Sequence, residues 1–269
     1  MNITYGFIGS GNMAKAMIGG IVKSKLATPD CVIASNPTQP KLTALKQEFG
    51  IQTILNDNKT VAKHSDVVIL SVKPHLYESV IAEIKDVLKA NAIVVMIAAG
   101  QNIITNEARF NAPIKLARVM PNTPALVGEA MSAVCFNTNM TEADQKIVMD
   151  MVNSFGKAEI VPESLIDAVI GVSGSSPAYV YMFIEAMADA AVMHGMPRMQ
   201  AYTFAAQAVL GAAKMVLETG IHPGELKDQV CSPGGTTIEA VATLEQNGLR
   251  AAVINAMDVC IKKSQQMSK

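Results

Sequence analysis

The stretch Gly6-Phe7-Ile8-Gly9-Ser10-Gly11-Asn12-Met13-Ala14 closes a short apolar run, residues 3–8, and opens a helical pattern over residues 12–23. Its small residues stand as Gly9-x-Gly11-x-x-Ala14. In a strand–turn–helix unit the first glycine makes the tight turn and the second lets the backbone approach a pyrophosphate. The small third residue lets the helix pack on the strand. The helix N-terminus that follows favours negative charge. Gly9, Ser10, Gly11, Asn12 and Met13 are therefore the expected contacts of a dinucleotide. Such a motif alone is also compatible with a plain Gly-rich turn; its place after a strand and before a helix supports nucleotide binding.

Working outward, strand patterns recur at residues 3–8, 32–35, 51–55, 67–71, 93–97, 115–119, 131–136 and 158–161. Helical patterns fall between most of them, at 12–23, 41–49, 59–63, 77–88, 103–110 and 141–155. Continuous runs such as DVVIL (66–70) and AIVVMI (92–97) predict strands buried on both faces, as in a parallel sheet covered by helices. Thr141-Glu142-Ala143-Asp144 resembles a capping box at the start of the last of these helices. After Pro162 only helical patterns remain, broken at Gly174, Gly195-Met196-Pro197, 220–223, 233–235 and Gly248. The expected fold is an α/β Rossmann-like dinucleotide-binding domain, residues 1–162, followed by an all-α domain, residues 163–269.

Composition agrees with that plan. A chain of 269 residues, half of them hydrophobic, suits two domains with ample core. Lys plus Arg number 22 against 23 Asp plus Glu, with no long run of either sign, which argues against nucleic acid or anionic membrane as partner. No stretch approaches the ~20 apolar residues of a membrane helix, and the opening MNITYGFIG enters a strand rather than a signal peptide. A cytoplasmic protein is expected. Cys31, Cys135, Cys231 and Cys260 are scattered without metal-ligand spacing, so no metal is expected and a reducing compartment would keep them as thiols. Cys231 is expected to be a small buried neighbour of the loop beside it. The helices after residue 162 carry apolar residues on more than one side, and a domain of that size hardly buries several such helices alone. Homo-oligomerisation through this domain follows, with the Met residues as core or interface filler.

A second Gly-rich loop, Ser232-Pro233-Gly234-Gly235-Thr236-Thr237, interrupts the helical half. Pro233 stops the preceding segment, the glycines let backbone N–H groups turn inward, and two threonines stand at a new helix start. Two readings fit: an anion site, or a helix–turn–helix corner capped by Thr236 or Thr237.

The segment LKDQVCSPGGTTIEAVATLE, residues 226–245, closely resembles the signature of the pyrroline-5-carboxylate reductase family. GVSGSSPAYVYMFIEAMADAA (171–191), RVMPNTPALVGEAM (118–131), SVKP (71–74) and the N-terminal Gly-rich stretch resemble it as well, in order along the whole chain. The resemblance implies reduction of 1-pyrroline-5-carboxylate to L-proline with a nicotinamide cofactor, the last step of proline biosynthesis. It also implies a helical dimerisation domain, with dimers assembling further, commonly into decamers.

The residues suit that substrate, a cyclic imine bearing a carboxylate. Gly234, Gly235 and Thr236 are expected to hold the carboxylate and Thr237 the ring nitrogen, as the catalytic hydroxyl. Ser173, Gly174 and Ser175 complete the pocket or cap a helix. A protonated imine already accepts hydride, which fits the placing of His64, His75, His194 and His222 outside the motifs, as surface or helix-end residues. Val72, Lys73 and Pro74, after the fourth strand, are expected at the ribose or nicotinamide. Asn122 and Thr123, between Pro121 and Pro124 after the sixth strand, offer polar atoms toward nicotinamide or substrate. No acid lies between Cys31 and Gln47, where an NAD-specific site usually carries one, so NADPH is expected over NADH, with Ser35, Asn36 and Lys41 toward the 2'-phosphate. The competing readings are a non-catalytic NADP-binding sensor and a β-hydroxyacid dehydrogenase-like enzyme. The latter family places a catalytic Lys on the first long helix of its second domain, and residues 177–194 contain none.

Overall fold

The computed structural model describes residues 3–267. Strands β1 (Tyr5–Ile8), β2 (Val32–Asn36), β3 (Gln52–Leu55), β4 (Val67–Leu70), β5 (Ile93–Met96), β6 (Lys115–Met120), β7 (Ala130–Phe136) and β8 (Gly156–Ile160) form one sheet. Their order is β3-β2-β1-β4-β5-β6-β7-β8. Helices α1 (Asn12–Lys23), α2 (Gln39–Phe49), α3 (Asn58–His64), α4 (Tyr77–Ile84), α5 (Ile103–Arg109), α6 (Glu142–Asn153) and α7 (Ile166–Val169) accompany it. The strands lie where their apolar patterns put them. The helix expected to reach residue 88 ends at Ile84.

The unbroken apolar runs follow from a core on both faces of the sheet. Alternate residues of β4, Val67 and Ile69, join a cluster with Met17, Ile18 and Ile21 of α1, Leu42 and Leu45 of α2, and Val148, Met151 and Val152 of α6. Val68 and Leu70 join the opposite cluster, with Val61 of α3, Tyr77, Val80 and Ile81 of α4, Ile103 of α5 and Ile166 of α7. The capping box expected at residue 141 forms: the Thr141 hydroxyl accepts from the Asp144 amide and the Asp144 carboxylate accepts from the Thr141 amide.

The sheet departs from an all-parallel one at a single place. β7 runs antiparallel to β6, pairing Met120 with Ala133, whereas β8 is parallel to β7. Only a short 3-10 turn, Thr123–Val127, lies between β6 and β7. A parallel return needs a crossover of a dozen or more residues, so this connection can only reverse the chain.

The chain divides into two compact units: Met1–Ser175 with Cys260–Lys269, and Ser176–Val259. The second holds α8 (Ser176–Met193), α9 (Arg198–Thr219), α10 (Pro223–Val230), α11 (Thr236–Gln246) and most of α12 (Leu249–Met267). Among its described residues the buried apolar side chains are Ala188, Ala201 and Ala205, while Met193, Met199, Phe204 and Leu217 are each more than 65% exposed. The last turns of α12 belong to the first unit. There the Ser264 hydroxyl donates to Asp167 (2.5 Å), and a Cβ on Gly100 would lie 2.9 Å from the Met267 carbonyl. No helix among the described residues is long and apolar enough to cross a membrane.

Candidate active site

From β1 the chain builds β2 and β3 on one side, and β4 begins the other side of the sheet. This is a topological switch point, and ligands of such sheets collect beyond the carboxyl ends of the two central strands. Gly9 turns the chain there at φ +100°, and its N–H donates to the Ser35 carbonyl (2.9 Å). A Cβ at Gly9 would lie 2.6 Å from the Ser71 carbonyl oxygen, so only glycine fits between the two strand ends. The Ser71 hydroxyl closes the clamp, 3.0 Å from the Ile8 carbonyl and 2.8 Å from that of Gly9.

Gly11 is the N-cap of α1 and makes no side-chain cap bond; a Cβ added to it would meet nothing within 4 Å. The helix start is thus open toward the crevice, with the backbone N–H groups of Asn12 and Met13 in its first turn. Ser10 beside it is 7% exposed and its hydroxyl has no hydrogen-bond partner among the described residues. A buried orphan hydroxyl costs about 1–3 kcal/mol, and an acceptor oxygen placed at this helix start would satisfy it. The residues present fit a dinucleotide pyrophosphate.

At the end of β2 the structure corrects one expectation. Ser35 is fully buried and its hydroxyl donates to Asn58 Oδ1 (2.5 Å), whose Nδ2 donates to Glu83 (2.8 Å). Its proton is spent inside the fold, so Ser35 supports the strand end and does not donate outward. Asn36 Oδ1 accepts from the Thr38 amide (2.8 Å), and its Nδ2 makes no hydrogen bond among the described residues. Lys41 is exposed on α2.

Past β4, Val72 is half-buried, Lys73 is exposed, and Pro74 starts a 3-10 turn, Pro74–Leu76. Beneath them lies Tyr77, which the sequence reading did not single out. Its hydroxyl donates to the Leu70 carbonyl (2.8 Å) and accepts from the amides of Ile97 (3.2 Å) and Ala98 (3.1 Å). Burial pushes this hydroxyl above its ordinary pKa, so it remains a donor. One side chain thereby ties the ligand-facing ends of β4 and β5.

Asn122 is tied into the fold at both ends of its amide. It is 8% exposed; its Oδ1 accepts from the Met131 amide (3.0 Å) and its Nδ2 donates to the Ser173 carbonyl (2.9 Å). Each end of the amide thus has a partner within the protein, which leaves one N–H of Nδ2 as its remaining donor. Thr123, next to it, is exposed. Ser173, Gly174 and Ser175 do stand just before a helix start, that of α8 at Ser176, but as part of the turn that leads into it. The chain passes from α7 through a π-helical turn, Ile170–Gly174, closed by the Ser175 amide on the Ile170 carbonyl (2.8 Å), into α8. The Ser173 hydroxyl donates to the Val169 carbonyl (3.2 Å), and the Ser175 hydroxyl accepts from the Cys260 thiol (3.2 Å). Neither hydroxyl caps α8: one bonds back to α7 and the other accepts from α12. Met120 is close by: its methyl lies 3.6 Å from where a Gly174 Cβ would stand.

The other Gly-rich loop lies in the helical unit. Gly234 has φ +68°, and the Gly235 amide donates to the Ser232 carbonyl (3.0 Å). Gly235 is the N-cap of α11, extended and without a side-chain cap bond, and Thr236 and Thr237 are the first two helical residues. Neither threonine caps this helix, because both stand inside it. Glycine at the cap leaves the first-turn N–H groups uncovered by any side chain, which suits an anion. Thr236 is exposed and Thr237 half-buried. Cys231 is half-buried rather than buried. All four histidines are exposed, His222 with its Nδ1 accepting from the Gly224 amide (3.1 Å) at the start of α10.

Residues 163–267 match a family described as "Pyrroline-5-carboxylate reductase dimerisation", and residues 4–100 one described as "NADP oxidoreductase coenzyme F420-dependent". The chain is 51% identical over 264 residues to the pyrroline-5-carboxylate reductase of Escherichia coli (strain K12), covering 98% of each. It is 44% identical over 268 residues to that of Methanosarcina acetivorans, covering 100% of this chain and 99% of the other. A crystal structure of the Plasmodium falciparum pyrroline carboxylate reductase with NADP bound superposes with a TM-score of 0.89 at 32% identity, over 100% of this chain and 99% of the other.

Proposed function

Since the chain belongs to the pyrroline-5-carboxylate reductase family, we propose how its residues divide the work of reducing 1-pyrroline-5-carboxylate to L-proline, the last step of proline biosynthesis. It is an oxidoreductase with a nicotinamide dinucleotide as its partner in electron transfer. The Gly9–Gly11 turn and the α1 N-terminus hold the pyrophosphate, with the orphan Ser10 hydroxyl donating to it. Val72, Lys73, Pro74 and Thr123 line the ribose and nicotinamide end, on strand ends that Tyr77 and Asn122 keep in place.

The observation that carries the substrate assignment is the uncapped first turn of α11, behind Gly234 in the left-handed region (φ +68°) and Gly235, where a Cβ would meet the Ser232 side chain. Gly234, Gly235 and Thr236 receive the substrate carboxylate there, and the Thr237 hydroxyl faces the ring nitrogen. Gly174 and Ser175 are further substrate contacts in this reading. When bound, the reduced nicotinamide supplies a hydride. The imine carbon takes that electron pair, the C=N π pair moves to nitrogen, and the proton already on the imine nitrogen stays, giving the secondary amine. Thr237 orients the C=N bond and steadies that nitrogen as its charge changes.

NADPH is the preferred form in this reading. No carboxylate lies between Cys31 and Gln47 to repel a 2'-phosphate, and the Asn36 Nδ2 and the exposed Lys41 are available donors. The exposed apolar faces of α8 and α9 and the dimerisation family match support a homodimer, which assembles further into a decamer. The thiols suit the cytoplasm.

The test is NADPH oxidation by the purified chain with 1-pyrroline-5-carboxylate, with proline identified as product and other cyclic imines and hydroxy acids as controls. Oxidation only with a hydroxy acid, or none with the imine, refutes the reading. An equal or higher kcat/KM with NADH refutes the cofactor preference alone.

A further inference from the structure

The π-helical turn Ile170–Gly174 runs into α8, whose second residue is Pro177. In an α-helix the amide of residue 177 would donate to the carbonyl of residue 173. Proline has no N–H, so that carbonyl is denied its ordinary helical donor. Asn122 Nδ2 donates to it instead, at 2.9 Å, from the loop that follows β6. The same amide accepts from Met131 at the start of β7, and these two backbone partners fix which end is oxygen and which nitrogen. A buried side chain thus joins the end of β6, the start of β7 and the turn that presents Gly174 and Ser175.

We propose that Asn122 is a positioning residue for the imine-binding turn: by donating to the Ser173 carbonyl that Pro177 leaves open, it holds the wide π-helical geometry in which Gly174 and Ser175 meet the substrate. The proposal rests on the assignment of Gly174 and Ser175 as substrate contacts made above. Without that bond the turn can tighten toward α-helical spacing, which shifts both residues along the helix axis. A misplacement of about 1 Å at a reacting centre costs on the order of a hundredfold in rate.

The experiment uses the full chain in two variants. Asn122→Asp keeps an acceptor for the Met131 amide but sets a carboxylate oxygen against the Ser173 carbonyl. Protonating that carboxyl restores a donor, so the variant's defect should shrink as pH is lowered while the wild-type profile sets the baseline. Pro177→Ala gives residue 177 an N–H that competes for the Ser173 carbonyl. For both, the imine KM should rise or kcat fall by roughly ten- to a hundredfold. NADPH affinity, read by its fluorescence in the absence of imine, should stay within about twofold, and the Pro177→Ala melting temperature should fall by only a few degrees, from the wider unfolded ensemble left by losing a compatible proline.

Wild-type kinetics in Pro177→Ala, or equal losses in NADPH affinity and imine turnover in both variants, overturn the proposal. If Asn122→Asp does not fold, Pro177→Ala decides alone. A wild-type protein that does not reduce the imine at all overturns the functional reading instead, which keeps the two failures apart.

Discussion

Replacing Thr237 with alanine separates a catalytic hydroxyl from a helix-end one. Gly235, not a threonine, is the N-cap of α11, and Thr237 is already the second helical residue. Its hydroxyl makes no hydrogen bond among the described residues, so the substitution removes no cap and leaves no internal partner orphaned. Alanine is the better helix former by about half a kcal/mol, so the melting temperature should hold or rise slightly. The imine, by contrast, loses a hydrogen bond to a charged nitrogen, worth about 1.5–3 kcal/mol. That converts to a fall of roughly 10- to 150-fold in kcat/KM for 1-pyrroline-5-carboxylate. Because the loop and the α1 turn are separate elements, NADPH affinity should stay nearly unchanged. Steady-state kinetics and thermal melts on the same variant give the answer. An unaltered kcat/KM with a lowered melting temperature would reject the catalytic hydroxyl and return Thr237 to a structural role.

Gly9→Ala forces a side chain to φ +100° and 2.6 Å from the Ser71 carbonyl; the backbone alone costs about 1–3 kcal/mol, so NADPH affinity and melting temperature should fall together, and an unchanged pair of values refutes the clamp. Phe204→Glu with Leu217→Glu places charges on side chains that are 67% and 82% exposed in the single chain; sedimentation should show monomers, and an intact oligomer would remove this face from the interface. Burial alone would raise the Asp144 carboxyl, but the Lys115 ammonium (2.8 Å) and the Thr141 hydroxyl and amide outweigh it and hold its pKa below the ordinary range. That stabilisation is complete above the unfolded carboxyl value, near 4, and is lost as pH falls through the lower folded value. Urea melts between about pH 5 and 2 should therefore show a shallower acid loss for Asp144→Asn than for wild type, and identical slopes would count against the pair.

What the sequence made legible, and what it did not, follows from the range of each interaction. The central strands β1, β4 and β5 announced themselves because they are buried on both faces, and the capping box because its partners are three residues apart. The reversal at β7 was readable in the short interval between Met120 and Ala130, had connection length been weighed beside the apolar pattern. Ser35 and Asn122 were read as facing a ligand because they are polar residues at strand ends, but polarity does not tell direction. Their partners, Asn58 and Ser173, stand 23 and 51 residues away and turn them inward. Tyr77 was missed for the same reason: a tyrosine at a helix start looks like core until the ends of β4 and β5 are both above it. The uncapped glycine of α11 was half visible, since two threonines after two glycines suggested a cap that the register places one residue too late.

The path of α12 bears on how the protein is made. The nucleotide-binding unit takes in Met1–Ser175 and then Cys260 onward, so the entire helical unit is synthesised between its two pieces. A nascent chain that has emerged only to residue 175 has its sheet and its phosphate loop but lacks the partners of Asp167, Ser175 and Gly100. Those residues flank the π-helical turn Ile170–Gly174 and follow the end of β5. Completion of the nucleotide-binding unit thus waits until late in translation, after the exposed apolar side chains of α8 and α9 have been synthesised. Closure of the first unit and release of the apolar faces of the second are, on this ordering, neighbouring events in the life of the polypeptide.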